Sequence, residues 1–254
     1  MSPAVAFRNV GYRIGARQIL DGLSLEVATG ETLVLLGPTG SGKTTALRMV
    51  NALALPSSGA VLVDGRETTA WDPIRLRRRI GYVIQDVGLF PHFTVARNVG
   101  LVPRLEQWPE TKIEERVREL LDAVGLPSRE FANRRPRELS GGQRQRVGVA
   151  RALAGDPPLL LFDEPFGALD PVTRLELQRQ FLELRLKLGK TAIFVTHDVR
   201  EALALGTRIG LLSAGRLELL ATPSEFLATR NREARTFLEC LDWTMEGHET
   251  RPRL

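Results

Sequence analysis

The chain has 254 residues, of which 43% are hydrophobic and 26% are charged, as in a globular protein large enough to bury a full core. Its 35 basic residues exceed its 30 acidic ones, giving a net charge of +5, but only 6% of its residues are aromatic. Surfaces that bind single-stranded nucleic acid stack bases on aromatic side chains beside basic ones. We therefore interpret the excess charge as a solvated surface and expect no nucleic-acid partner.

The sequence also limits any direct membrane role. No apolar run approaches the ~18 residues that a membrane-spanning helix needs. The first residues do not show a basic segment followed by an apolar one, so no secretory signal is expected. The single cysteine, Cys240, excludes an internal disulfide and fits a reducing compartment. Any role at a membrane is therefore expected to come through a partner.

The first third of the chain predicts strands around one glycine-rich turn. Residues 7–12 and 23–27 alternate with period two, which predicts two strands joined by a turn. Residues 32–36 are almost continuously apolar, as in a strand buried on both faces of a parallel sheet. Further strands are expected at residues 60–63 and 80–84, on either side of a basic segment.

The middle of the chain has a helical pattern. Between about residues 86 and 155, apolar residues recur at helical spacing, most clearly at Ile113, Val117, Leu120, Leu121 and Val124. Strand patterns return at residues 159–162, 192–195 and 209–212, with helix starts between them. This alternation predicts an α/β fold with a parallel sheet, interrupted by a helical insertion. Residues 232–254 are polar and weakly patterned and are expected to form a short tail.

A phosphate-binding loop follows the apolar strand at residues 32–36. The pattern Gly-x-x-x-x-Gly-Lys-Thr lies after a buried strand and opens a helix, which is the context that this motif requires. Lys43 is expected to hold the outer phosphates of a nucleotide, and Thr44 to offer its hydroxyl to Mg²⁺. The residues assigned to this loop are Gly37, Pro38, Thr39, Gly40, Ser41, Gly42, Lys43, Thr44 and Thr45.

Two adjacent carboxylates close the apolar strand at residues 159–162. Asp163 is expected to bind Mg²⁺ directly or through water, and Glu164 to polarise an attacking water molecule. Glu164 could instead be an ordinary surface acid. Because two neighbouring carboxylates at the end of a buried strand are unfavourable without a cation, the pattern favours the catalytic interpretation.

Between these two motifs lies Leu139-Ser140-Gly141-Gly142-Gln143. The spacing of Ser140 and Gln143 is that of a capping box, so the segment could simply begin a helix. Two glycines reduce helix propensity, however, and leave backbone N–H groups uncovered for close approach to a phosphate.

Taken together, the three motifs resemble the ATP-binding-cassette ATPase, the motor subunit of a membrane transporter. The resemblance implies an ABC-type P-loop NTPase with a RecA-like core at residues 4–86 and 156–236 and a helical subdomain at residues 87–155. The ATPase domain would then span residues 4–236, followed by a tail at residues 237–254.

The resemblance also assigns roles residue by residue. Ser140, Gly141, Gly142 and Gln143 match the signature motif, which binds the γ-phosphate held by the opposite subunit. Tyr12 resembles the aromatic residue that stacks on adenine, although a core tyrosine on an edge strand is the alternative. Gln85 resembles the glutamine that contacts Mg²⁺ and water. His197 resembles the switch histidine that contacts the γ-phosphate. Residues 167–170, which end at Asp170, resemble the loop at the dimer interface. The implied catalytic residues are Glu164, His197 and Gln85, and the implied metal ligands are Thr44, Gln85 and Asp163.

Such a family member would bind ATP and Mg²⁺ as a homodimer at the cytoplasmic face of the plasma membrane. Its partners would be two integral-membrane permease subunits and, indirectly, a substrate-binding protein. Residues 80–95, 101–105 and 108–109 resemble the partner-facing segment of importers of quaternary amines such as glycine betaine and choline. A transporter of another substrate, such as an amino acid or a lipid, remains an alternative. A soluble non-transport ABC ATPase is a further one, although those usually carry an inserted coiled coil or a second cassette, and neither is seen.

Overall fold

The computed structural model describes residues 2–246 except residues 86 and 168. Within this part of the chain two β-sheets are surrounded by helices. The strands are β1 (Val5–Ile14), β2 (Arg17–Val27), β3 (Thr32–Leu36), β4 (Ser58–Val63), β5 (Arg66–Glu67), β6 (Ile80–Val83), β7 (Leu159–Asp163), β8 (Thr191–Thr196), β9 (Arg208–Ser213) and β10 (Arg216–Ala221).

Helices cover both faces of the larger sheet and form a separate layer in the middle of the chain. They are α1 (Lys43–Val50), α2 (Pro73–Arg78), α3 (Val95–Val99), α4 (Leu101–Leu105), α5 (Glu110–Ala123), α6 (Ser128–Phe131), α7 (Gly141–Leu153), α8 (Pro171–Leu188), α9 (Val199–Leu205), α10 (Pro223–Leu227) and α11 (Arg232–Glu246). Among the described residues, no helix combines the length and the apolar character needed to cross a membrane.

The larger sheet has six strands in the order β10-β9-β3-β8-β7-β6. Its strands pair in parallel except for β10, which pairs antiparallel with β9 at the edge. Every residue of β3 and β7 is buried, as the continuous apolar runs predict. Because β3, β8 and β7 are parallel neighbours, the segments that follow their carboxyl ends meet at one edge of the sheet. The expected α/β fold with a parallel sheet is thus confirmed.

Three phenylalanines pack beneath that edge. The rings of Phe162 and Phe194 are stacked with centroids 4.2 Å apart, and Phe181 of α8 meets both edge-on. Phe162 and Phe194 are almost completely buried. Aromatic pairs in these geometries add to the stabilisation that burial of their apolar area provides. The group therefore holds β7, β8 and α8 together one residue below Asp163.

The smaller sheet is antiparallel, with the order β2-β1-β4-β5. Its first two strands form the hairpin that the period-two pattern predicts, with Val5 opposite Val27 and Ile14 opposite Arg17. Both strands are longer than the pattern indicated, because only Gly15 and Ala16 separate them and Gly15 adopts a φ of 56° that suits a tight turn.

The helical insertion also has the expected character. Ile113, Val117, Leu120, Leu121 and Val124 are all buried, so the predicted apolar face of α5 is confirmed. Helix α7 carries this layer back to the sheet, where it packs against β6. The proposed division at residues 4–86, 87–155 and 156–236 stays a prediction.

The expectation of a weakly patterned segment from residue 232 is wrong over Arg232–Glu246, which form helix α11. Ala234 and Leu238 are buried there, and Phe237 and Leu241 pack against the core at the same helical spacing. Charged residues between these apolar positions make the segment look polar when only its composition is considered. Packing of the apolar face against α9 stabilises the helix. Residues 247–254 of the predicted tail lie outside the described residues.

Candidate functional site

The glycine-rich loop connects the buried end of β3 to the first turn of α1. Gly42 caps α1 with a φ of 99°, and a Cβ there would lie 2.6 Å from Leu20 Cδ2 and 2.9 Å from the Ile19 carbonyl oxygen. Glycine is therefore required both by the backbone conformation and by the close approach of β2. No side chain caps this helix start and its first turn has no acidic residue, so its N–H groups are available to an anion.

Lys43 reaches back over this loop. Its ammonium donates hydrogen bonds to the carbonyl oxygens of Gly37 at 2.7 Å and Pro38 at 2.8 Å. Burial lowers the pKa of Lys43, while the carboxylates of Glu164 and Asp163 act in the opposite direction. The side chain is thus held in place before any phosphate arrives, with carboxylates near enough to favour its charged form.

Thr44 and Asp163 meet although they lie 119 positions apart in the sequence. The Thr44 hydroxyl donates to Asp163 Oδ1 at 2.7 Å, and the Tyr82 hydroxyl donates to Asp163 Oδ2 at 3.2 Å. Asp163 itself is only 6% exposed. A hydroxyl and a carboxylate are oxygen ligands of the kind that Mg²⁺ prefers, so these two residues fit the predicted metal site.

Tyr82 was not identified from the sequence as part of this site. Burial, together with the nearby Asp163 carboxylate, raises the pKa of Tyr82 to about 12. The sequence offers one indication of this role, which is a tyrosine within an otherwise apolar strand that neighbours the strand carrying Asp163.

This shifted pKa predicts a specific pH dependence of stability. A phenol whose pKa rises on folding contributes fully below its unfolded value of 10.0 and loses that contribution as the pH approaches about 12. We therefore expect the free energy of unfolding to fall more steeply with pH in the wild type than in Tyr82→Phe. Because the ring is partly exposed, the expected difference is about 1 kcal/mol, well below the unscreened value. Urea denaturation at about pH 8 and about pH 11.5 would measure it, and parallel pH profiles would contradict the assignment.

Glu164 leaves the strand direction immediately after Asp163. Its φ of 46° is left-handed, and its N–H donates to the Val195 carbonyl oxygen at 3.0 Å. Its Oε2 lies 3.3 Å from Nδ1 of His197, which follows β8. Glu164 is half-buried and His197 is exposed, so a carboxylate and an imidazole are paired at the mouth of the site.

A cavity of about 240 Å³ opens above the loop. Its lining includes six residues of the loop and α1, together with Glu164 and with Arg17 and Ile19 of β2. The positions of Arg17 and Ile19 at this cavity could not be predicted from the sequence, because only the packing of the β1–β2 hairpin places them beside the loop. Tyr12 lies half-buried in β1 opposite Leu20 and is not among the lining residues, so its contact with adenine stays a prediction.

The signature segment, residues 139–143, does not line the cavity above the phosphate loop. Ser140 and Gln143 form the predicted capping box at the start of α7, with reciprocal bonds of 3.2 and 2.9 Å. Gly141 lines a second cavity of about 330 Å³, and no residue that lines it also lines the first. Within one chain, the structure therefore does not bring the signature to the phosphate loop.

Gln85 belongs to this second cavity rather than to the first. The loop that follows it is attached to α7, since Arg151 donates to the carbonyl oxygens of Val87 at 2.5 Å and Gly88 at 2.8 Å. The contact of Gln85 with Mg²⁺ and water therefore stays a prediction. Sequence reasoning missed Arg151, which carries no motif of its own.

Asp170 caps α8 and accepts the Thr173 N–H at 3.0 Å. Hydrogen bonds from Thr173 hold the pKa of Asp170 below its usual value. It lines neither cavity. Ala168, in the same predicted loop, lies outside the described residues.

Comparison with known proteins adds an independent result. Residues 20–167 match the model of the ABC transporter family. The chain is 52% identical over 213 residues to the glycine betaine/carnitine/choline transport ATP-binding protein OpuCA of Bacillus subtilis (strain 168), covering 84% of this chain and 56% of that protein. It is 52% identical over 209 residues to the osmoprotectant import ATP-binding protein OsmV of Salmonella typhimurium, covering 82% and 55%. The chain thus spans little more than half the length of these two relatives.

A solved structure is similar over most of the chain. The dimeric, post-hydrolysis state of the ATP-binding cassette MJ0796, bound to ADP and Pi, matches with a TM-score of 0.77 and 36% identity. The match covers 86% of this chain and 98% of that one.

Proposed function

The chain belongs to the ABC transporter family, and from that premise we propose that it binds and hydrolyses ATP as the nucleotide-binding subunit of an importer. The observation that carries this proposal is the convergence of Lys43, Thr44 and Glu164 on one cavity, with Asp163 hydrogen-bonded to Thr44. A loop of N–H groups, an ammonium, oxygen ligands for Mg²⁺ and a carboxylate beside an imidazole are groups that can serve phosphoryl transfer to water.

In this proposal each side chain has a separate task. The uncapped start of α1 and Lys43 bind the phosphates, with the ammonium exchanging its carbonyl partners for phosphate oxygens. Glu164 accepts a hydrogen bond from the attacking water and takes its proton as attack proceeds, and His197 contacts the terminal phosphate from beside Glu164. Mg²⁺, when bound by Thr44 and Asp163, supplies positive charge that offsets the charge of the phosphates.

Two copies of the chain complete the proposed site. The exposed signature at Ser140 and Gly141 lies apart from the phosphate loop of its own chain, so it is available to the nucleotide of a partner copy. The dimeric state of the related cassette MJ0796 supports this arrangement. Gln85 and Tyr12 complete the site as the predicted metal and adenine contacts.

For the transported solute we propose a quaternary amine such as glycine betaine or choline. Support comes from the names of OpuCA and OsmV, both 52% identical to this chain, together with the partner-facing segment of the sequence. The proposed assembly is a homodimer bound to two permease subunits at the cytoplasmic face of the plasma membrane, with a substrate-binding protein acting on the permeases.

Uptake in the native cell tests this proposal. Labelled glycine betaine and choline would be offered to cells that carry either the wild-type chain or Glu164→Gln, with other carriers for these solutes deleted. We expect Glu164→Gln to abolish accumulation of at least one of them. Unchanged uptake would overturn the quaternary-amine assignment, and ATP hydrolysis by the purified protein would show separately whether the ATPase assignment holds.

A further inference from the structure

A second carboxylate lies behind His197, and the proposed chemistry does not use it. Glu201, in the first turn of α9, is only 5% exposed. Burial raises its pKa, against the opposing effect of its hydrogen-bond partners. A buried carboxyl group is unfavourable unless its oxygens are bonded, so its partners show what holds it there.

One oxygen of Glu201 fixes the segment that carries His197. The Thr196 hydroxyl donates to Glu201 Oε2 at 2.5 Å, and the same hydroxyl oxygen accepts the Asp198 N–H at 3.0 Å. Thr196 is therefore tied to the buried carboxyl group directly, and Asp198 is tied to it through the Thr196 hydroxyl. This leaves the imidazole exposed but restricts the backbone that carries it.

The other oxygen connects this segment to α8. Gln178 Nε2 donates to Glu201 Oε1 at 3.1 Å. A second link runs in parallel, since Arg174 Nη1 lies 3.8 Å from Asp198 Oδ2. Both Gln178 and Arg174 belong to α8, whose N-cap is Asp170, so two polar links join the His197 segment to the helix that starts at Asp170.

We propose that Glu201 is a positioning residue, which holds His197 against Glu164 and makes the His197 segment and α8 move as one unit. The inference rests on the proposed ATPase function, because it assigns Glu201 an effect through His197 on that reaction. The hydrogen bonds of Glu201 run to Thr196 and Gln178, so Glu201 acts on His197 through Thr196 and, beyond it, Asp198.

A purely structural role would give a different pattern. A buried carboxyl group that only stabilised the fold would lower the number of ATP-binding sites and the turnover in the same proportion, through the amount of folded protein. A positioning role lowers the turnover per ATP-binding site, and its effect disappears once the side chain it positions is gone. A double-mutant cycle with His197 separates the two.

The experiment uses Glu201→Ala, Glu201→Gln, His197→Ala and the double variant Glu201→Ala/His197→Ala in the full chain. We expect Glu201→Ala to lower kcat, expressed per ATP-binding site counted by titration, about tenfold or more, with KM for ATP within about threefold of the wild type. Glu201→Gln should restore most of kcat, because an amide can accept from Gln178 and donate to Thr196. In the His197→Ala background, Glu201→Ala should cause no further loss.

Glu225→Ala is the matched control. It removes a glutamate that likewise accepts a threonine hydroxyl, from Thr222 at 2.9 Å, but at the start of α10. It should leave kcat unchanged. If Glu201→Ala does not fold, Gln178→Met removes the link from Glu201 to α8 while the Arg174–Asp198 pair remains, and it should lower kcat in the same selective way.

A readout that does not need turnover distinguishes failure of this inference from failure of the ATPase proposal. The chain has three histidines, so the imidazole NMR signal of His197 can be assigned by comparison with His197→Ala. Glu201→Ala should shift or broaden this signal, and Glu225→Ala should not. An unchanged signal, or additive losses of kcat in the cycle, would overturn the positioning role. Absence of ATP turnover in the wild type with a shifted signal would overturn the ATPase proposal alone.

Discussion

Glu164→Gln is expected to lower ATP turnover at least about a hundredfold while leaving the affinity for ATP within about threefold of the wild type. The amide keeps the size of the side chain and can still accept a hydrogen bond beside His197, but it cannot take a proton from water. Because Glu164 lies at the cavity wall and not in the loop itself, phosphate binding by Lys43 should survive. Phosphate release measures turnover, and a fluorescent ATP analogue measures affinity.

The same variant should accumulate in a closed pair when ATP and Mg²⁺ are present. Binding without hydrolysis removes the step that reopens the dimer, so size-exclusion chromatography should show a shift from monomer to dimer. Glu225→Gln is the control, since glutamine also fits the capping box at Thr222 and this residue lies at α10. Undiminished hydrolysis in Glu164→Gln would remove Glu164 from the role of base.

Ser140→Arg is expected to abolish hydrolysis and to leave ATP binding by the single chain intact. Ser140 is exposed at the start of α7 and lines no part of the phosphate cavity of its own chain. A guanidinium there would occupy the space needed by the nucleotide of the partner copy. Titration of the isolated chain with ATP and a steady-state turnover assay give the two quantities separately.

Loss of the helix cap must be separated from this effect. Ser140→Ala removes the same capping bond to Gln143 without adding bulk. Loss of such a cap typically lowers the free energy of unfolding by about 1 kcal/mol. It should keep much more activity than Ser140→Arg. Equal losses in both variants would mean that the cap, and not the contact with the partner, decides turnover.

Mixing two inactive chains tests the shared site directly. Lys43→Ala should lack phosphate binding and Ser140→Arg should lack the signature. A mixed pair, however, contains one site with an intact Lys43 and an intact Ser140 from different copies. Turnover should therefore reappear on mixing. If it does not, and each variant chain is folded, loop and signature do not act across two copies.

Much of this site could be predicted because its parts are local. The loop from Gly37 to Thr44 needs only a buried strand, glycines at left-handed positions and the start of a helix. All three features can be recognised from consecutive residues. The capping box at Ser140 and Gln143 and the apolar face of α5 are equally local patterns. The expectation of a weakly patterned tail from residue 232 was wrong over α11. The apolar stripe of this helix is sparse, and the helix is stabilised by packing against α9, which is distant in the sequence.

The α/β class, the phosphate loop, the paired carboxylates after β7 and the helical insertion could all be predicted from the amino-acid sequence, since periodicity and turn chemistry act over a few residues. Which distant side chains meet became visible only in the folded chain. The strand order β3-β8-β7-β6 brings Thr44, Tyr82 and Asp163 together, and packing of α8 against α9 brings Gln178 to Glu201. The fold also places the signature and the phosphate loop of one chain at different cavities. Such contacts depend on long-range strand pairing and helix packing, which no short stretch of sequence encodes.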